Sequence, residues 1–330
     1  MKALNYPARG EILLGDMIDP VAAAGQVLID VKASGICGTD IEVLHGNYGT
    51  SAFPVVPGHE FSGIVVDIGD GVKSVRTGDR VVIDPNLACG DCDACGRGRS
   101  NLCVNLGAYG VTVNGGFADF CSVNAEAVHG IGTLDFETAA LAEPLACVLN
   151  GIHAIDATTA RHALIFGAGP IGLIMATTLQ VQGVESIQIV DIDPLRVELA
   201  ESLGFNGIVS APDTLKGFHQ SVDLVIDCTG VAAVAQELVS FAIDGGKVLF
   251  FGVCPADAEI HIHPHELFRR QLTLAGSHSL IRNIPDALAI LQADPAKFRA
   301  LISDCLPLDE IPAFLDGSRK STLKVQAVRQ

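Results

Sequence analysis

Ile165-Phe166-Gly167-Ala168-Gly169-Pro170-Ile171-Gly172 carries three glycines at G-x-G-x-x-G spacing, where an apolar strand pattern gives way to a helical one. Each glycine answers a separate steric demand. The first allows a tight turn, the second lets a pyrophosphate approach bare backbone, and the third lets helix pack on strand. Ala163 to Phe166 ahead of the turn form an unbroken apolar run; behind it Ile171, Ile174, Met175 and Leu179 recur at helical spacing. Phosphates are expected at the N-terminus of that helix, where free backbone N–H groups and the helix dipole favour an anion. Taken alone the motif is weak, because other α/β proteins also turn on glycine.

Its context decides the reading. The next apolar run, Ile187-Gln188-Ile189-Val190, ends in Asp191, nineteen residues beyond Gly172. A carboxylate there can accept hydrogen bonds from both hydroxyls of an adenosine ribose and would repel a 2′-phosphate, so NAD is expected rather than NADP. Asp193 can cap a helix with Pro194 in its first position, and Arg196 is placed to lie along the adenine. Thr229, in the turn Asp227-Cys228-Thr229-Gly230, Gly252 at the end of a later apolar run, and Ser277 after the last one are read as further cofactor contacts. With Gly167, Gly169, Pro170, Ile171 and Gly172 they make up the expected dinucleotide site. Strand and helix patterns alternate from 151 to 279, as in a doubly wound parallel sheet.

The flanks read differently. Residues 27–31, 64–68 and 81–83 are short apolar runs broken by glycine and proline, so 1–150 reads as a β-rich domain. Helical periodicity at 284–291 and a last strand at 323–328 return the chain to that domain, which becomes discontinuous: 1–150 with 280–330. A chain of 330 residues accommodates two such domains. No run of about eighteen apolar residues free of charge occurs, and the first residues lack a signal-peptide core; a cytoplasmic protein without membrane partners is expected. A net charge of −17 would repel a phosphate backbone, which argues against nucleic acid.

Ten cysteines without an export signal point to metal ligation and core packing rather than to disulfides. Cys89, Cys92, Cys95 and Cys103 form C-x2-C-x2-C-x7-C in a glycine- and charge-rich loop, and four thiolates in fifteen residues can close a tetrahedral zinc shell with no open position. Cys121, Cys228, Cys254 and Cys305 lack such spacing and read as core thiols. Cys37 and His59 lie at strand ends, where a second metal site is suspected. His261, His263 and His265 alternate as along one strand face and read as solvated.

Gly58-His59-Glu60, followed by Gly63, Gly69 and Val72, resembles the signature of the zinc-containing medium-chain alcohol dehydrogenases. Cys37-Gly38-Thr39-Asp40, the glycine turn at 167–172, Gly78-Asp79-Arg80-Val81, Gly115-Gly116-Phe117-Ala118-Asp119 and the closing Leu323-Lys324-Val325 fall where that family has them, so the resemblance spans essentially the whole chain. It implies a GroES-like catalytic domain beside a Rossmann domain, and a homodimer or homotetramer. It also implies two zinc ions per chain, one in the four-cysteine lobe and one catalytic ion on Cys37, His59 and a third ligand.

The run Ala142-Glu143-Pro144-Leu145-Ala146-Cys147 offers two candidates for that ligand. Glu-Pro-Leu resembles polyol, sugar and threonine dehydrogenases, which favours Glu143; Cys147 falls where other relatives place a cysteine ligand. Glu60 is expected to approach the metal or to orient the site. The expected reaction is NAD-dependent oxidation of a secondary alcohol, a polyol above other substrates, with a threonine or sugar dehydrogenase as the alternative within the family. A zinc-stabilised nucleotide-binding protein without turnover would keep Asp191 and the lobe but need no open metal. Thr39 is placed to take the hydroxyl proton. Relatives often end the relay in a histidine at the position of Glu42, so the proton's exit is open.

Overall fold

The structure is a computed structural model describing residues 1–329. The chain divides into two compact units, one built of Met1–Ala146 with the residues from Leu280 onward, the other of Cys147–Ser279. The division after Ala146, rather than after residue 150, falls inside one continuous helix, Ala142–Ile155, so no linker marks it in the sequence. The helical stretch Phe136–Ile155 is long and apolar enough by composition to cross a membrane, but 83% of it is buried inside the protein, as in a core helix.

In the first unit a seven-stranded sheet runs in the order Ile302–Leu306, Lys324–Val328, Gln26–Gly35, Glu60–Ile68, Arg80–Ile83, Val128–Gly130, with Phe120–Asn124 also paired to Gln26–Gly35. Gln26–Gly35 shows why the sequence makes a strand. Val27, Ile29, Val31 and Ala33 are buried and the residues between them are half-exposed, the period of two that turns one face to a core. Its C-terminal end places Gly35 opposite both Glu60 and Gln326, so residues from the middle and the far end of the chain meet beside the Cys37 turn. The helix Gly38–Leu44 follows at once and buries Asp40, Val43 and Leu44.

In the second unit six parallel strands run Asn206–Val209, Ser186–Asp191, His162–Phe166, Val222–Asp227, Ala242–Phe250, Thr273–Gly276, which is 3-2-1-4-5-6 in chain order. That order places a switch point beside the first strand, where dinucleotides bind in such sheets. The helix Pro170–Val181 starts on Gly169 with Pro170 in its first turn and buries every residue from Gly172 to Leu179. Burying its Leu173, Ile174, Met175 and Leu179 against the sheet contributes roughly 1.5–3 kcal/mol per side chain.

Two local expectations are corrected. His261 and His263 lie in irregular chain and His265 in the helix Pro264–Arg270, because Pro264 starts a helix where a strand was expected. Of the four cysteines read as core thiols, Cys121 is buried, whereas Cys228, Cys254 and Cys305 are half-exposed.

Candidate metal and dinucleotide sites

The lobe is built from one short segment. The ligand atoms of Cys89, Cys92, Cys95 and Cys103 all lie within 4.8 Å of one another, against about 3.8 Å between sulfurs around a tetrahedral zinc. Its backbone is already turned toward the sulfurs: Cys103 Sγ accepts from the N–H groups of Cys89 and Asn105 at 3.3 Å each. N–H groups of Cys95 and Val104 hold the Cys92 thiol down at about 6. Backbone donors aimed at Cys92 and Cys103, with four sulfurs gathered at one place, fit a closed zinc shell better than a dithiol.

The second cluster is assembled from the sheet. Cys37 ends the turn after Gln26–Gly35 and caps the helix Gly38–Leu44, while His59 and Glu60 open the neighbouring strand. The ligand atoms of Cys37, His59 and Glu60 lie within 4.8 Å of one another, with His59 and Glu60 buried. The structure groups Glu60, read as approaching the metal, with Cys37 and His59. Glu143, expected in the third place, is buried on the helix Ala142–Ile155, and Cys147, one turn on, is half-buried. Thiolate, imidazole and carboxylate together suit zinc and leave a fourth position open.

Two further residues support this cluster. Asp40, fully buried, accepts from the N–H groups of Cys37 at 2.8 Å and Gly58 at 3.1 Å and lies 3.3 Å from His59 Nδ1. It fixes the ring and the turn that carries the thiol. Burial alone would lower the His59 pKa, but Asp40 and Cys37 outweigh it and raise the value well above its usual range, so a metal must displace a proton here. Lys324, also buried, donates to Glu60 Oε1 at 2.6 Å and lies 2.5 Å from Oε2. Burial lowers the pKa of its ammonium, and Glu60, Cys37 and Glu143 more than offset that. A Cβ at Gly35 would collide with the Glu60 carboxylate, so this glycine makes room for the pair. Neither Asp40 nor Lys324 stood among the expected site residues. Both occur within segments that carry the family resemblance, which was the available signal. Thr39 is half-buried two residues after Cys37, and Glu42 is exposed on the same helix.

The second unit brings the dinucleotide residues to the C-terminal ends of its strands. Gly167 adopts φ +104°, and a Cβ on Gly172 would strike the Gly167 carbonyl, so both positions require glycine. Above Gly169 the space is open except for the Arg196 guanidinium, 3.7 Å from where a Cβ would stand, a cradle suited to phosphate. Asp191 Oδ2 accepts from Ala168 N–H at 2.8 Å and Oδ1 from Asp193 N–H at 3.0 Å, which sets the carboxylate against the glycine turn. Asp193 caps the helix Pro194–Ser202. Asp227 accepts from Thr229 N–H and Oγ1 at 2.7 and 2.6 Å, and Gly252 packs directly on the Gly230 backbone. Pro170 and Ile171 form the first helical turn, and Ser277 follows the last strand.

The comparisons with known proteins agree with this geometry. A family model for the alcohol dehydrogenase GroES-like domain matches residues 23–133, and one for the glucose dehydrogenase C-terminus matches 136–326. A D-altritol 5-dehydrogenase from Agrobacterium fabrum is 47% identical over 334 residues, with 99% of each chain covered. Among solved structures, a zinc-binding dehydrogenase from Sinorhizobium meliloti 1021 bound to NADP superposes with a TM-score of 0.95 at 32% identity, covering 99% of both chains. An alcohol dehydrogenase from E. coli CFT073 complexed with NADH gives 0.90 at 26% identity, covering 100% of this chain and 99% of that one. With a GroES-like unit and a Rossmann unit, the chain belongs to the zinc-dependent medium-chain alcohol dehydrogenase family and is an NAD-dependent oxidoreductase of that family.

Proposed function

We propose that the protein oxidises a secondary hydroxyl of a sugar alcohol to the ketone, with NAD as hydride acceptor and Cys37, His59 and Glu60 as the ligands of the catalytic zinc. The observation that carries the reading is the contrast between the two donor sets: four thiolates close a shell, whereas Cys37, His59 and Glu60 leave a place for substrate oxygen. The polyol preference rests on the near full-length similarity to the altritol enzyme.

When bound, zinc supplies a Lewis acid that makes the hydroxyl easier to deprotonate, and the nicotinamide supplies the hydride acceptor. Asp40 holds the His59 ring, Lys324 holds Glu60 and neutralises its buried charge, and Thr39 takes the hydroxyl proton. Glu42, exposed on the same helix, passes that proton to solvent. Asp191 selects NAD over NADP by accepting from the ribose diol and repelling a 2′-phosphate.

Exposed Phe268 and Val253 and the edge strand Thr273–Gly276 support a homodimer or homotetramer. The gathering of Cys89, Cys92, Cys95 and Cys103 as a metal-ligand set supports a cytoplasmic setting. A screen of NAD reduction with polyols, sugars, threonine and simple alcohols tests the substrate. Turnover confined to threonine or to simple primary alcohols would overturn the polyol reading, and equal kcat/KM with NAD and NADP would overturn the role of Asp191.

A further inference from the structure

A cavity of about 180 Å³ opens in the first unit, lined among others by Asp84, Asn86, Ser100, Glu126, His129 and Arg282. No residue of either metal cluster lines it. Its walls come from the turn after Arg80–Ile83, from the lobe, from the segment around Val128–Gly130 and from the chain beyond Leu280. They are tied to one another: Asp84 N–H donates to Ala127 O at 2.8 Å, and Asn86 Nδ2 donates to Leu280 O at 3.1 Å.

Asp84 is the group the fold leaves unsettled. The residue is only 6% exposed, yet among the described residues no lysine, arginine or histidine nitrogen stands within 4.0 Å of its carboxylate. Oδ1 accepts from the N–H of Asn86, two residues on, at 3.0 Å, and Oδ2 has no hydrogen bond. A buried carboxylate without a cation is costly, because only a paired charge or several donors replace the water it gave up. Burial pushes its carboxyl up, and Asn86 N–H and Arg282 oppose this only in part. Glu126 and Arg282, both exposed at the same cavity, form no ion pair either. Burial holds His129 below its usual range, so at pH 7 its ring is neutral and one nitrogen accepts.

The charges select the occupant. Asp84 and Glu126 against Arg282 leave the lining with one net negative charge, so an anion is disfavoured. A bare metal ion needs several ligand atoms drawn together, and among the described residues only the two clusters already described gather three. The volume is that of about six waters at ~30 Å³ each, which sets the occupant at about six non-hydrogen atoms. We propose that this cavity binds a small primary ammonium compound of the amino-alcohol class, its ammonium donating to the Asp84 carboxylate and its hydroxyl meeting the polar groups of Ser100 and His129. An amine with a pKa near 10.4 carries its charge at neutral pH, and the contact it makes is a charge-assisted hydrogen bond shielded from water.

The test is calorimetric titration of the full, zinc-loaded chain with 4-amino-1-butanol and with 1,4-butanediol, which has the same length and no charge. The amine should bind at least about tenfold more tightly than the diol. Asp84→Asn keeps an acceptor for Asn86 N–H and should weaken the amine about 10–100-fold, the range for one hydrogen bond to a charged group. Without ligand this variant should melt no lower than the parent, because it removes an unpaired buried charge. Glu126→Gln, at an exposed position, should weaken the amine about two- to fivefold. Cys37→Ser should bind it as the parent does, which separates this cavity from the catalytic cluster. Equal binding of amine and diol, parental affinity in Asp84→Asn, or lost binding in Cys37→Ser each overturns the proposal. Arg282→Gln removes a like charge and should tighten the amine. If Arg282 instead swings onto Asp84 and fills the space itself, the parent binds no amine and Arg282→Gln lowers the melting temperature, which also overturns it. Stabilisation by potassium or magnesium with no response to the amine would assign the cavity to an inorganic cation and overturn the ammonium class.

Discussion

The two candidate metal sites lie in one unit and are built in opposite ways. Cys89, Cys92, Cys95 and Cys103 come from fifteen consecutive residues, and the backbone amides that stabilise their sulfurs come from the same loop. Cys37, His59 and Glu60 come from two strand ends, and the lysine that neutralises Glu60 is 264 residues further along the chain. Closing a short loop loses little chain entropy, and four thiolates plus a metal need no other support. An open site is harder to hold. One coordination place must stay free, so the remaining ligands must be fixed by the protein: His59 by Asp40, Glu60 by Lys324, and the carboxylate's space by Gly35. A closed site can therefore be local, whereas an open one needs a fold.

The most severe way to break this comparison is to delete a ligand from each site. Cys37→Ser should abolish turnover and leave one zinc per chain, in the lobe. Cys103→Ser should remove the lobe zinc, lower the melting temperature and leave metal at the catalytic cluster. Metal analysis on the two purified variants decides, and either one losing both ions would show that the sites are not independent.

A smaller change removes the proton path while leaving both metals. Thr39→Val should lower kcat by roughly 10²–10⁴-fold, the range for positioned acid–base groups. Parental turnover with both zincs retained would place the proton elsewhere.

Lys324→Met tests whether the open site needs its distant support. It leaves the Glu60 carboxylate buried and unpaired, so the metal-free protein should lose about 3–5 kcal/mol of stability. Zinc should restore part of that loss by taking the carboxylate as ligand. Denaturant titrations with and without metal measure both, and equal losses in the two forms would separate Lys324 from the metal site. The sign with pH follows from the same pair. The folded-state pKa of Lys324 is raised above its unfolded value near 10.5. Its contribution is therefore complete below about pH 10 and disappears as pH rises through the folded value. Metal-free parent protein should lose stability in that alkaline window, and Lys324→Met should not show this component.

Glu143→Gln should have the smallest effect, weakening catalytic metal or activity by about 10–100-fold, as outer partners do, whereas Glu60→Gln should lose the ion. Loss of the ion in Glu143→Gln with retention in Glu60→Gln would reverse the ligand assignment.

Local chemistry was enough for several features. The four cysteines, the glycine turn with Asp191, the Asp193–Pro194 helix start and the alternating burial of Gln26–Gly35 depend on near neighbours, so their spacing in the sequence already states the geometry. A doubly wound parallel sheet followed from the alternation of strand and helix because connection rules leave few other topologies, whereas its order 3-2-1-4-5-6 is seen only in the structure. What the sequence alone could not decide was which carboxylate stands beside Cys37 and His59. Glu60 and Glu143 are both acidic, both near suitable motifs and both buried. The choice falls to the register in which Gly35 meets Glu60 on one side and Gln326 on the other, which brings Lys324 to the Glu60 carboxylate. A pairing between residues 264 apart is set by the sheet as a whole. It depends on long-range packing, for which no local spacing in the chain carries a signal.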